Sequence, residues 1–281
     1  MTKTLMLGAV AYDPKVVTIW EGFKTWFAKH DLAFDFILYS NYESQVEGHF
    51  AGHYDVAWNS PLAWIQAERV AKARGRTAEA IAMRDTDQDL TSVIVVREDS
   101  GIKSLEDLRG KTVGVGAGDS PQATLIPLNH IAEAGLKRDE DVRVRPFDRL
   151  VGKHGDHIGG ERDAAKALMV GEVDAACMID GNHLLFGQEG TLPSGQTRII
   201  SQTAPYDHCC FTVLDDAPEP EIERFVELLM GMSYADPEVR PLLDLEGLKA
   251  WRAGRVEGFE QLNEAVDRFA YLETFMEDMA T

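Results

Sequence analysis

SGIKSLEDLRGKTVGVG, residues 100–116, continues as AGDSPQATLIPLNHI, residues 117–131. It reads as a turn, a short capped helix, a glycine stop, a buried strand and the start of a longer helix. Ser104 stands where a cap belongs, with Asp107 three residues on as a weaker version of the usual Glu or Gln. After Gly118 the pattern predicts a helix from Gln122 to Ala134 that stops at Gly135. The same alternation extends outward on both sides. Upstream lie strands at Leu5–Val10, Ala33–Tyr39, Tyr54–Trp58, Ala78–Met83 and Ser92–Arg97. Helices fill Lys15–His30, with Val16, Ile19, Trp20, Phe23 and Phe27 at helical spacing, and the run from Asn59-Ser60-Pro61 to about Ala73. Downstream come strands Val142–Phe147 and Val173–Ile179 around a helix at Glu161–Val170, then strands Arg198–Ser201 and Cys210–Leu214. From Glu219 onward the pattern is helical. This is the signature of an α/β fold with a largely parallel sheet.

The chain has 281 residues, which suggests two domains. Its 28 Lys+Arg against 47 Asp+Glu give a net charge of −19, and no basic block interrupts the acidity, which argues against nucleic acid or anionic membrane as a partner. No apolar run approaches the ~20 residues of a membrane span. Cys177, Cys209 and Cys210 are too few for a disulfide framework, and Met1 runs directly into the first strand without a signal-peptide pattern. Both observations predict a cytoplasmic protein. A Walker loop, a G-x-S-x-G elbow, H-E-x-x-H and paired C-x-x-C are all missing.

Candidate site residues fall at strand ends, where open α/β sheets bind ligands. Ser120, Gln122 and Thr124 surround one helix N-terminus, whose amides and dipole suit an anion. Asp119 beside them would repel that anion unless a proton, a metal or a cationic group on the ligand intervenes. Asn59 and Ser60 make a second such terminus. Tyr12 follows the first strand, and Asp180 follows Val173–Ile179. Arg84 ends another strand and is the candidate for a bidentate clamp on carboxylate or phosphonate. The segment Lys153–Glu161 crowds His154, Asp156, His157 and Glu161 together, a plausible transition-metal grip with His157 and Glu161 on one face. His208 and Cys209 are further metal candidates. On a regular strand, however, His208 and Cys210 share one side and Cys209 takes the other.

Taken in order, SGIKSLEDLRGKTVGVGAGDSPQATLIPLNHI, GGERDAAKALMVGEVDAACM (159–178) and YDVAWNSPLAWIQA (54–67) resemble the type 2 periplasmic solute-binding proteins, especially the phosphate/phosphonate-binding branch. The resemblance implies a two-lobed, Venus-flytrap fold with two hinge crossings. Lobe one would be residues 1–90 plus 208–281, and lobe two 91–207. A small polar, anionic ligand (phosphonate, phosphate ester or carboxylate) would sit in the interlobe cleft, and His157 matches a ligand-contacting histidine of that branch. An ABC permease would be a partner only if the protein is exported in another form. The alternative is a cytosolic enzyme on this fold, a lyase, hydratase or metal-dependent oxidase, using the His/Asp/Cys cluster with His157 as general base.

Overall fold

In Ser92–Arg97 the side chains Val93 and Val95 join one apolar cluster, while Ile94 and Val96 join another. That period of two means a strand buried on both faces, as the continuous β-branched run demands. A computed structural model describes residues 3–148 and 157–280. In chain order the elements are β1 (Leu5–Val10), α1 (Lys15–Lys29), β2 (Phe34–Tyr39), α2 (Tyr42–Phe50), β3 (Val56–Asn59), α3 (Pro61–Ala73) and β4 (Ala78–Arg84). Next come β5 (Ser92–Arg97), β6 (Thr112–Val115), α4 (Ile126–Glu133), β7 (Arg143–Pro146), α5 (His157–Met169), β8 (Ala175–Ile179), α6 (Asp180–Glu189) and β9 (Thr197–Gln202). The chain closes with β10 (Cys210–Leu214), α7 (Glu219–Gly231), α8 (Arg240–Glu246), β11 (Trp251–Ala253), α9 (Glu260–Arg268) and α10 (Glu273–Ala280).

Contacts divide the chain into two units. The first is Met1–Gln88 with Asp207–Phe259 and Tyr271–Thr281, and the second is Asp89–Tyr206 with Glu260–Ala270. The first holds a six-stranded sheet in the order β11-β4-β10-β3-β1-β2, the second a five-stranded sheet in the order β7-β6-β8-β5-β9. Parallel pairs β1–β2, β1–β3, β6–β7 and β6–β8 agree with the alternating pattern. The largely parallel expectation needs correcting, though. β10 runs antiparallel between β3 and β4, and β5 runs antiparallel between β8 and β9. Each is the first strand after the chain enters its unit. It therefore arrives without the crossover helix that would enforce parallel pairing.

The first unit's core is aromatic. Val16, Ile19, Trp20, Phe23 and Phe27 of α1 pack against Leu5, Leu7, Trp58, Phe211, Phe225 and Trp251. In the second unit α9 buries Leu262, Ala265 and Val266 and packs on α4. Arg268 Nε donates to Asn129 Oδ1 at 2.6 Å, and Gln261 Nε2 donates to the carbonyls of Ala204 and Pro205. The tail from 208 to 281 is therefore divided between the units, where the family resemblance implied that it lay wholly in the first. Near residue 104 the acidic half of the expected capping box forms, while the Ser104 hydroxyl donates to Asp107 Oδ2 at 3.5 Å. The Asp107 carboxylate accepts from the amides of Lys103 and Ser104, ahead of a single turn at Glu106–Leu108.

Candidate functional site

Because β10 is antiparallel to β3, Cys210 pairs with Asn59. This brings the start of the returning strand beside the carboxyl ends of its neighbours. Tyr12 after β1, Trp58 of β3, and Glu246 of α8 line one narrow notch with Val10, Val16, Ile19 and Trp20. Tyr12 is 41% exposed. Burial first, and then the Glu246 carboxylate, push its phenol up to about 12, so it stands as a neutral donor.

Arg84 does not have the duty expected of it. Its Nε and Nη2 donate to Asp87 at 2.5 and 2.8 Å, and its Nη1 donates to the Glu246 carbonyl at 2.9 Å and to Oε1 at 3.2 Å. Its guanidinium also lies 5.2 Å from the Trp58 ring centroid. The fork is spent inside the protein, because two buried carboxylates need a cation more than a solvated ligand does. Burial alone would raise the Asp87 carboxyl, but the charge and hydrogen bonds of Arg84, with His208 adding to them, hold it down at about 2. Glu246 goes the other way. Burial raises it to about 7, with Arg84 opposing and Asp87 reinforcing.

A raised carboxyl favours the fold while it keeps its proton. The unfolded chain loses that proton near 4.5, the folded chain near 7. Stability from this group is therefore fully present below pH 4.5 and is lost as pH rises through 7, by roughly 3 kcal/mol in all. Buried His49, held down at about 4, works in the opposite sense between pH 4 and 6.5. The difference between wild type and Glu246→Gln isolates the carboxyl. We expect the stability of wild type minus that of the variant, read by denaturant titration, to fall between pH 4.5 and 8; parallel curves would refute the assignment.

The Asn59 side chain is likewise committed. Its Oδ1 accepts from Gln45 Nε2 at 2.7 Å and its Nδ2 donates to Thr212 Oγ1 at 3.0 Å. Ser60 caps α3, accepting from the Ala63 amide at 3.3 Å. His208 and Cys209 precede β10, so strand alternation does not separate them. Cys209 Sγ lies 3.1 Å from His208 Nδ1, while Cys210 Sγ turns to Thr212 Oγ1 at 3.5 Å. Burial, and then Asp87, raise the Cys209 thiol well above its usual range and keep it neutral.

In the second unit, Ser120 caps a wide turn over Pro121–Leu125 in which the Leu125 amide reaches back to the Ser120 carbonyl at 3.0 Å. Such i→i+5 turns recur at functional positions. Gly116 makes the close approach possible: a Cβ there would sit 2.8 Å from that of Ala123. Ser120 Oγ accepts from the Ala123 amide at 3.2 Å, and Thr124 Oγ1 donates to the Ala117 carbonyl at 2.7 Å. Asp119 is buried here as well. The Gln122 side chain is buried, and its Oε1 has no partner among the described residues.

Asp180 is exposed at the start of α6 and accepts from Thr91 Oγ1 and the Gly181 amide. His154 and Asp156 lie outside the described residues, and His157 opens α5 with a side chain that does too. Glu161, the other half of the expected pair with His157, is fully buried. Its Oε2 accepts from the Ile179 amide at 3.0 Å and Asn182 Nδ2 at 2.9 Å, pinning the β8–α6 corner. The sequence pattern overlooked Asp87 and Glu246. Asp87, three residues after Arg84, carried a local signal; Glu246, 162 residues away, carried none.

A family model described as "ABC transporter, phosphonate, periplasmic substrate-binding protein" matches residues 9–263. Among solved structures, PhnD1 from Prochlorococcus marinus in complex with methylphosphonate is 18% identical, with 95% of this chain and 98% of that chain covered and a TM-score of 0.66. XAC2383 from Xanthomonas citri bound to ATP is 16% identical over 95% and 98%, with a TM-score of 0.68. A binding protein component of an ABC phosphonate transporter from Pseudomonas aeruginosa is 16% identical over 100% and 96%, with a TM-score of 0.60. These likenesses establish the two-lobed α/β solute-binding fold. The enzymatic alternative gains no support from them. No helix among the described residues is long and apolar enough to cross a membrane.

Proposed function

The chain belongs to the family of periplasmic phosphonate substrate-binding proteins of ABC transporters, and from that premise we propose that its ligand is a small anion of the phosphonate, phosphate-ester or carboxylate class, held in part by Ser120 and Gln122. The observation that carries this reading is the buried Gln122 amide at a helix start. Its Oε1 is unmatched among the described residues, in a turn where a strand end, a cap hydroxyl and a widened coil meet; a protonated oxygen of the ligand donates to it, or a flip of the amide turns its NH2 toward the anion. A buried acceptor without a donor costs about 1–3 kcal/mol, and a ligand that supplies the donor, or that meets the flipped amide, removes that cost. In the first unit Ser60 and Tyr12 retain a hydroxyl proton for a ligand; Arg84, Asn59 and, in the second unit, the Thr124 hydroxyl are engaged elsewhere. A permease of the ABC type is the partner that family membership suggests, for a form of the protein that meets one.

Titration calorimetry with methylphosphonate, inorganic phosphate, a phosphate monoester and acetate tests the proposal. At least one should bind saturably. Gln122→Leu should weaken that binding about 10-fold, or 1.4 kcal/mol, while leaving stability unchanged or improved, since the substitution removes an unmatched amide. Silence across the panel, or an unaltered affinity in the variant, would sink this reading.

A further inference from the structure

We infer that Asp87, His208 and Cys209 form a binding site for a soft divalent cation of the Zn²⁺ class. One donor atom from each residue lies within 4.8 Å of the other two. Nδ1 of His208 stands 3.1 Å from Cys209 Sγ and 3.4 Å from Asp87 Oδ1. Metal–ligand lengths of ~2.3 Å for sulfur and ~2.0–2.1 Å for nitrogen and oxygen set tetrahedral edges at roughly 3.3–3.6 Å. Two edges therefore already stand within a few tenths of an ångström of their bound values. Thiolate, imidazole and carboxylate together favour zinc over magnesium or calcium, which take oxygen alone. Three protein donors leave a fourth position to water or an anion.

The surroundings fit a cation. Arg84 holds both carboxylate oxygens of Asp87, the kind of outer bond that orients a metal-ligating carboxylate. The Asp87 and Glu246 side chains are 2% and 3% exposed. With Glu246 and Cys209 both deprotonated, three negative charges face the single charge of Arg84, and a dication brings the buried group to neutrality. Cys209 binds as thiolate and releases its proton to solvent. The His208 side chain, 24% exposed, provides the way in. Local chain geometry makes the arrangement possible, because His208 and Cys209 lie ahead of the first paired residue of β10.

Co²⁺ titration of chelator-treated protein, in the absence of any phosphonate, tests this independently of anion binding. We expect one equivalent to bind, with tetrahedral visible bands and a thiolate-to-cobalt charge-transfer band, and Zn²⁺ to displace it. Cys209→Ser should abolish the charge-transfer band, and His208→Gln should weaken binding at least ~10-fold. Circular dichroism confirms that each variant is folded. His208→Gln, at a partly exposed side chain, keeps the test decisive if Cys209→Ser does not fold. Absence of saturable cobalt bands, or bands that survive either substitution unchanged, would overturn the site.

Discussion

Arg84→Met should destabilise the first unit by about 3–5 kcal/mol, the usual consequence of removing one partner from a buried ion pair. Arg84 is the common partner of Asp87 and Glu246, whose carboxylates are almost wholly buried. Without it Asp87 loses two charge-assisted hydrogen bonds, and the two acids are left with no guanidinium between them. Methionine fills most of the volume, so the loss reads as charge more than cavity. The triple variant Arg84→Met, Asp87→Asn, Glu246→Gln should recover at least half of the stability, because no buried charge of the cluster then remains. All five tryptophans, Trp20, Trp26, Trp58, Trp64 and Trp251, belong to the first unit, so their fluorescence during denaturant unfolding reports that unit. A midpoint for Arg84→Met equal to that of wild type would show that the acids do not depend on it.

Phe211→Ala should cost about 3–5 kcal/mol by the same fluorescence measurement, through lost burial and the cavity it leaves. Phe211 is 1% exposed at the centre of the aromatic cluster. Its ring centroid lies 4.7 Å from that of Trp58, 5.0 Å from Phe225, 5.3 Å from Trp251 and 6.0 Å from Trp20. Neighbouring rings on several elements must move together to close such a hole, so little of it can collapse. Phe211→Leu, which keeps most of the apolar volume, should recover much of the loss. A cost below 1 kcal/mol for the alanine variant would mean that the cluster repacks freely.

The outline of both units was legible in the sequence wherever one segment sufficed to specify an element. Val16, Ile19, Trp20, Phe23 and Phe27 mark the buried face of α1, and all five are core. The Asn59-Ser60-Pro61 corner marks the start of α3, and Ser60 caps it. Ser120-Pro121 does the same ahead of α4, although the widened turn between them was not legible, since an i→i+5 turn leaves no residue signature. α2 and α6 escaped notice as well. Both are short, and the burial of Gln45, His49 and Asn182 breaks the apolar stripe by which a helix is recognised.

The sequence by itself determined which segments become strands and helices, which of their faces are apolar, and that candidate ligand groups gather at strand ends. These properties follow from periods of 2 and 3.6 and from capping chemistry, which act over a few residues. Only the tertiary structure decided that β5 and β10 enter their sheets antiparallel, that α9 belongs with the second unit, and that Asn59 bonds to Gln45 and Thr212. It also turned Arg84 from a prospective ligand clamp into the counter-charge of Asp87 and Glu246, and set Cys209 beside His208. Each of these outcomes depends on desolvation, strand pairing or chain direction. A buried carboxylate takes whichever cation the fold brings to it, and that choice leaves no trace in the residues on either side of it.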